Sequence, residues 1–126
     1  MKVISTVLAI LFLMTGLAFA EQKGNICVAT KEKSAEAAVF DKAGLAPYLL
    51  IFDGKGKMIE AVANPFKDKE GAGKSVAELL KNKGVTVIVA EELGGQIAEV
   101  MKSKGIKAVS FKGSAAAAVK KILQSK

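Results

Sequence analysis

The chain of 126 residues contains no histidine, arginine or tryptophan, and its only cysteine is Cys27. Without His, the chain has neither a His-based catalytic triad nor the commonest ligand of zinc and other transition metals. A single Cys excludes an intramolecular disulfide and every metal motif built from paired cysteines. Composition alone therefore removes most familiar hydrolase and metalloenzyme mechanisms.

The charge is basic, with 19 Lys against 12 acidic residues and a formal net charge of +7. The lysines are spread along the chain without a dense block and without interleaved aromatic residues. Nucleic-acid proteins usually use Arg for bidentate contacts and aromatic side chains for base stacking. We interpret the lysines as residues of solvent-exposed surfaces and predict no nucleic-acid partner.

Residues 1–20 have the pattern of a secretory signal peptide: a basic start at Lys2, an apolar run, and small residues at Ala18 and Ala20. Cleavage after Ala20 would leave one domain over residues 21–126. An uncleaved membrane anchor is the competing interpretation, but polar residues dilute the apolar run and no basic stop follows it. The expected location is periplasmic or secreted, with no membrane association after cleavage.

The first half of this domain is rich in strand signals. Residues 25–30 form a short run that is apolar on both faces, which is typical of a central strand. Residues 31–46 are mixed and predict a loop with a turn of helix. Strands are predicted over 47–52 and 58–63, joined as a hairpin through a turn that contains Asp53 and two glycines.

Helices and strands alternate in the second half. The predicted elements are a helix over 74–83, a strand over 85–90, a helix carrying Ile97, Val100 and Met101, a strand over 106–111, and a helix over 114–124 with Ala116, Val119, Ile122 and Leu123 facing inward. Gly84 and Gly105 follow two of the helices and can adopt the left-handed conformation that ends a helix. Ser114 is the expected N-cap of the last helix.

The element order β-β-β-α-β-α-β-α predicts an α/β fold. We expect a five-stranded mixed sheet with helices on both faces, in which the hairpin supplies the antiparallel strand. In such sheets a ligand crevice opens beyond the carboxyl ends of the parallel strands. Here that edge carries the loops after Thr30, Ala90 and Phe111.

Two glycine-rich segments are candidate backbone binding sites. The segment Gly71–Ser75 resembles the end of a phosphate-binding P-loop, but Asp68 stands where that motif needs glycine and no strand leads into it. A flexible approach to a helix explains it, and its free N–H groups can still hold an anion. Gly94 and Gly95 after a strand allow either a ligand or a tight turn.

Two kinds of reactive side chain remain. Cys27 lies in a strand that is apolar on both faces, so it is interpreted as a core residue and not as a ligand or nucleophile. Among the carboxylates, Asp53 is expected to form the hairpin turn. Glu91 and Glu92 lie at the mouth of the predicted crevice and are candidates for acid-base chemistry, with simple solvation as the alternative.

A set of short motifs in a particular order resembles the dinitrogenase iron-molybdenum cofactor biosynthesis family, the small NifX-like domains. The motifs are Gly44-Leu-Ala-Pro-Tyr48 before a strand, Asn64-Pro65, Gly71-x-Gly73, Gly84-Val85-x-Val87, Leu93-Gly94 and Gly105-Ile106-Lys107. The resemblance implies a ribonuclease-H-like α/β fold that binds or carries iron-sulfur or iron-molybdenum cofactor species.

The chain departs from that family where metal chemistry would be expected. The family often has His and Arg before the second strand, where this chain has Lys42 and Leu45, and Ala46 offers no thiol. An exported member is a further departure. The resemblance therefore implies the fold and a backbone-rich pocket, without the expected His ligand.

Our sequence-based hypothesis is an exported, non-catalytic binding or carrier domain for a small anionic or metal-cluster ligand, as a monomer or weak dimer. The expected binding residues are Gly44, Pro47, Asn64, Gly71, Gly73, Gly94 and Gly95, with Lys31, Lys42 and Lys74 supplying charge. The cofactor and any protein partner stay unidentified. The alternatives are a structural or interaction module with a vestigial pocket and a hydrolase that uses Glu91 or Glu92.

Overall fold

The structure, a computed structural model, describes residues 23–93 and 95–124. The predicted signal peptide, residues 1–20, and Gly94 lie outside these described residues. In order, the elements are β1 (Asn25–Thr30), a 3-10 helix (Ala43–Leu45), β2 (Tyr48–Phe52), β3 (Met58–Ala63), α1 (Ala72–Asn82), β4 (Val85–Ala90), α2 (Gly95–Ser103), β5 (Lys107–Ser110) and α3 (Ala115–Gln124).

The five strands form one mixed sheet in the order β3-β2-β1-β4-β5. Strand β2 pairs antiparallel with β1 and β3, whereas β1, β4 and β5 run parallel. Helices α1 and α2 cover one face, and α3 covers the other. The predicted α/β architecture is confirmed, and the ribonuclease-H-like classification stays a prediction.

Strand β1 occupies the centre because both of its faces are apolar. Cys27 and Ala29 pack with the α1 and α2 layer, while Ile26 and Val28 pack with the α3 layer. Every one of these side chains is fully buried. Two-sided burial of this kind is what parallel strands between helical layers require.

The helices differ from the sequence-based expectation in small ways. Helix α1 begins at Ala72 rather than residue 74, because Gly71 adopts a left-handed conformation with φ of 72° and turns the chain into the helix. Gly84 ends it with φ of 73°, as predicted. In α3 the prediction for Ala116 was wrong: it is exposed, and Ala115 and Ala118 face the core instead.

The caps and strand ends follow local hydrogen bonding. Ser114 Oγ accepts the N–H of Ala117 at 3.1 Å, which confirms the predicted N-cap of α3. Strand β2 begins one residue later than predicted, since Pro47 has no N–H for the ladder. Strand β5 is shorter than predicted at both ends, covering only Lys107–Ser110.

The outer strand β3 carries a bulge. Ile51 pairs with Glu60 and Phe52 pairs with Met58, so Ile59 lies between two paired residues without an opposite partner. Ile59 is 51% exposed. A bulge bends its strand and increases the local twist.

The hairpin turn is held by Asp53, as the sequence predicts. Its Oδ1 accepts the N–H of Lys57 at 3.0 Å and that of Lys55 at 2.9 Å. These two backbone hydrogen bonds, the one from Lys57 first, hold the pKa of Asp53 below its usual value. The ionised carboxylate is therefore favoured by folding.

A group whose pKa is lowered by folding adds stability above its unfolded-state pKa and loses that contribution as the pH falls through its folded-state pKa. We therefore expect Asp53→Ala to unfold more easily than the wild type at neutral pH, with the gap closing as the pH falls through the lowered pKa of this carboxyl. Urea unfolding across this range measures the gap. Asp68→Ala, at an exposed carboxylate, is the control, and a gap for Asp53→Ala that stays constant with pH would contradict the assignment.

Candidate functional site

A large cavity lies on the face of the sheet that carries α1 and α2. It measures about 720 Å³ and is bounded by the 3-10 helix, the start of α1 and the first turns of α2. The lining residues are Lys42, Ala43, Gly44, Leu45, Lys69, Gly71, Ala72, Gly73, Lys74, Glu92, Gln96, Ile97 and Val100. We call residues 42–45 the loop wall and residues 69–74 the helix wall.

The loop wall follows β1 and is attached to the end of β4. Lys42 forms an isolated parallel bridge with Glu92, and the N–H of Glu92 donates to the carbonyl oxygen of Asp41 at 2.7 Å. The N–H of Leu45 donates to the carbonyl oxygen of Lys42 at 3.2 Å, which closes the 3-10 turn. The wall is thus anchored beside the carboxyl ends of the parallel strands, where the sequence placed the crevice.

The helix wall presents the amino end of α1. The first helical hydrogen bonds run from the N–H groups of Lys74 and Ser75 to the carbonyl oxygen of Gly71. The N–H groups of Ala72 and Gly73 precede these bonds and belong to the donors that an α-helix leaves unpaired within itself. A Cβ at Gly71 would meet no atom within 4 Å, so this corner of the cavity is open.

The other two glycines of these walls serve close packing. A Cβ at Gly44 would lie 3.0 Å from the backbone nitrogen of Gly73, so the two walls touch backbone to backbone. A Cβ at Gly73 would lie 2.6 Å from Cδ1 of Ile97 on α2. These glycines line the cavity, but the space beside their α-carbons is already filled by protein.

The cavity combines an apolar part with a basic part. Leu45, Ile97 and Val100 supply apolar surface, and Leu45 is 47% exposed. Three lysines line the cavity against a single acid, Glu92. The amino end of a helix carries a partial charge of about +0.5, so charge and dipole both favour an anion here.

The side chains do not fit a metal ion that the protein must ligate. Within residues 23–93 and 95–124, no group of three or more His, Cys, Asp or Glu side chains is placed to hold one. The cavity lining contributes no thiol and no imidazole, and its one carboxylate is Glu92. Its donors suit an anion, or a complex that brings its own ligands.

Cys27 lies inside the sheet, away from this cavity. It is fully buried in the middle of β1 and pairs with Ile51 on one side and Ile88 on the other. Burial raises the pKa of its thiol far above the usual value. The interpretation of Cys27 as a core residue is confirmed.

The structure brings together five of the residues that the sequence singled out for binding: Lys42, Gly44, Gly71, Gly73 and Lys74. Pro47 and Asn64 lie behind the loop wall, joined by a 2.9 Å hydrogen bond from the N–H of Asn64 to the carbonyl oxygen of Pro47. Lys31 is exposed and outside the lining set. Gly95 is the first residue of α2. A ligand-binding role for these residues stays a prediction.

Several lining residues were missed by the sequence. Lys69 stands in a lysine-rich loop with no signal to distinguish it from its neighbours, and Leu45 is an isolated apolar residue. Ile97 and Val100 were expected to face the core, and they do pack against it while also bordering the cavity.

A second, smaller cavity of about 430 Å³ lies beyond the ends of β4 and β5. Asp41, Glu91 and Glu92 line it together with Ser110, Phe111 and Lys112. The hydroxyl of Ser110 donates to the carbonyl oxygen of Glu91 at 2.6 Å and is therefore engaged with backbone. Glu91 and Glu92 both line a crevice, as the sequence predicted. Lys112 is the only basic side chain in its lining.

Within the part of the chain that the structure describes, no helix combines the length and the apolar character that crossing a membrane requires.

Comparison with known proteins gives matches in family and in structure. The family model for "Dinitrogenase iron-molybdenum cofactor" matches residues 24–125. The apo form of the orange protein from Desulfovibrio gigas has a TM-score of 0.73 at 22% identity, covering 83% of this chain and 91% of its own. A Thermotoga protein provisionally assigned as NifB has a TM-score of 0.69 at 26% identity, covering 81% of this chain and 89% of its own.

No curated protein matches the chain by sequence. The family match spans nearly all of the described residues, and the structural neighbours cover the same domain. Together with the observed α/β fold, this shows that the chain belongs to the dinitrogenase iron-molybdenum cofactor family.

Proposed function

We propose that this protein is an exported, non-catalytic carrier or binding domain whose large cavity holds an anionic ligand. The observation that carries the proposal is that Lys42, Lys69 and Lys74 line one cavity together with the first residues of α1. Backbone N–H groups at a helix start and nearby cations form a ready site for an anion. Family membership supports a cargo related to the iron-molybdenum cofactor or an iron-sulfur species.

The chemistry of the lining limits how such a cargo is held. Lys ammonium and backbone N–H groups donate hydrogen bonds and cannot ligate a metal, so a cargo held by them carries its own ligands, and Glu92 is the one lining carboxylate that could add to that set. The apolar surface of Leu45, Ile97 and Val100 would contact the less polar parts of the same ligand. Glu92 opposes anion binding and would favour release over very tight retention.

What surrounds the cavity supports a non-catalytic role. The chain has no His, and Cys27 is buried away from the lining. Glu92 faces lysines and lacks a neighbouring nucleophile among the lining residues. The leader-like pattern of residues 1–20 supports a periplasmic or secreted location.

The lysines are tested by replacing three of them together. We expect Lys42→Gln, Lys69→Gln and Lys74→Gln in one protein to weaken binding of isolated iron-molybdenum cofactor about three- to a hundredfold, because each exposed charge contributes about 0.2–1 kcal/mol. Calorimetric or spectroscopic titration under anaerobic conditions gives the dissociation constant. Molybdate serves as a second, simpler anion.

The matched control removes the same charge elsewhere. Lys55→Gln, Lys107→Gln and Lys120→Gln change exposed lysines outside the cavity lining and should leave the dissociation constant within about twofold. Equal losses in the two triple variants would mean that only the overall charge matters and would reject the cavity as the site.

The second candidate function is an interaction module with a vestigial pocket. The half-exposed Leu45 lines the same cavity as Ile97 and Val100 and favours this function, because apolar patches that are open to solvent mark protein contacts. A ligand that binds only the folded state raises the melting temperature. If neither the isolated cofactor nor molybdate raises it, the interaction module becomes the better description.

A further inference from the structure

The two walls of the large cavity come from segments that are distant in sequence. The loop wall lies between β1 and β2, and the helix wall consists of the end of the β3–α1 loop and the first turn of α1. Their backbones touch at Gly44 and Gly73. A cavity made in this way keeps its shape only if something fixes one segment against the other.

Asn64 makes that connection. Its Nδ2 donates to the carbonyl oxygen of Gly44 at 3.0 Å and to that of Ala46 at 2.9 Å. Its Oδ1 accepts the N–H of Phe66 at 2.9 Å. The nitrogen of this buried amide thus holds the loop wall. Its oxygen holds the start of the segment that leads to the helix wall.

Burial makes these bonds difficult to replace. Asn64 is 5% exposed and is one of two buried polar residues in the described part of the chain. Both N–H groups of its amide donate to backbone carbonyl oxygens, so the side chain has no donor left for a ligand. Removing the amide would leave buried backbone groups without partners, which costs more than the bond itself contributes.

We infer that Asn64 is the positioning residue of the cavity, acting on a ligand only by tying the loop wall to the segment that leads into the helix wall. This inference deepens the proposed function and rests on it for the ligand. It assigns Asn64 a place behind the wall instead of a direct ligand contact. Its effect on shape can be tested without any ligand.

The test uses Asn64→Ser. A Ser side chain can still accept the N–H of Phe66 in a local turn, but it cannot span the distance to both carbonyl oxygens. Asn64→Asp has the shape of the native residue and lacks its two N–H donors, and it is the second variant if the first does not fold.

The control is Asn25→Ser. Asn25 also uses its Nδ2 to hold a backbone carbonyl, that of Lys83 at 2.8 Å, but it does so at the amino end of β1, opposite the cavity. A general loss of stability would affect both variants alike. An effect on exchange or binding that is seen only in the Asn64 variants would locate the change at the cavity.

Amide hydrogen exchange of the ligand-free full chain is the first measurement. We expect Asn64→Ser to speed exchange in residues 42–46 and 66–75 by about tenfold or more, with β1 and β4 amides changed far less, and Asn25→Ser to leave both segments unchanged. Faster exchange spread evenly over the sheet, or in both variants equally, would overturn the inference.

Binding is the second measurement. The affinity for isolated iron-molybdenum cofactor should fall about tenfold in Asn64→Ser and stay within about twofold in Asn25→Ser. If the wild type does not bind this probe while exchange changes as expected, the proposed function fails and the positioning role stands. If the wild type binds and Asn64→Ser binds equally well, the positioning role fails and the proposed function stands.

Discussion

Cys27 is expected to resist a soluble thiol reagent in the native protein and to react in full once the chain is unfolded. The thiolate is the reactive species, and burial in the centre of the sheet raises the pKa of this thiol well above its ordinary value. Labelling therefore needs an opening of β1, which is paired with a strand on each side. Because natively folded domains open rarely, the native rate should fall at least about a thousandfold below that of the unfolded chain.

The measurement is the time course of a chromogenic disulfide reagent with and without denaturant. The Cys27→Ala variant supplies the zero-thiol baseline and should still bind isolated iron-molybdenum cofactor as the wild type does. Rapid labelling of the native protein would show an accessible thiol and contradict the burial. Loss of cofactor binding in a folded Cys27→Ala protein would make Cys27 a ligand and refute a site built from lysines and backbone.

Gly44→Ala should destabilise the protein by about 1–3 kcal/mol, the usual cost of adding atoms to a packed interior. The added Cβ would lie 3.0 Å from the nitrogen and 3.2 Å from the α-carbon of Gly73. Both are backbone atoms at the start of α1, so relief requires the helix itself to move. Since the two walls would be pushed apart, cofactor binding should weaken as well.

The control for this substitution is Gly73→Ala, on the other side of the same contact. Its Cβ would meet Cδ1 of Ile97, the far end of a side chain that can change rotamer, and Ala favours the helix over Gly by about 1 kcal/mol. Chemical unfolding should therefore show a clearly lower free energy of unfolding for Gly44→Ala and little change in it for Gly73→Ala. Equal losses would show that the backbone contact is not the cause.

The fold could be predicted from the sequence because its signals are local. A run that is apolar on both faces gave β1, the turn chemistry of Asp53 gave the hairpin, and the left-handed glycines gave the ends of two helices. The predicted ends of helices and strands were less accurate where the backbone conformation of one residue determines where the element begins. Nothing in the residue types shows that Gly71 turns the chain directly into α1.

The candidate site could be predicted only in part, since a cavity depends on which distant segments meet. Gly71, Gly73 and Lys74 stand near a predicted helix start, whereas Gly44 was singled out through the resemblance to the family. Lys69 and Leu45 also line the cavity, but neither stands in a sequence pattern that predicts binding. Asn64 was expected among the binding residues as part of the Asn64-Pro65 motif, and only the three-dimensional structure shows its side chain reaching the carbonyl oxygens of Gly44 and Ala46.

The bulge in β3 bears on how the protein behaves at high concentration. A regular outer strand offers a continuous row of backbone donors and acceptors onto which another chain can add and start an aggregate. At Ile59 that row is interrupted, and the strand beyond the interruption is twisted relative to the strand before it. A strand from another molecule would keep its alignment for only a few residues, which discourages edge-to-edge pairing even though an apolar side chain is exposed at this position.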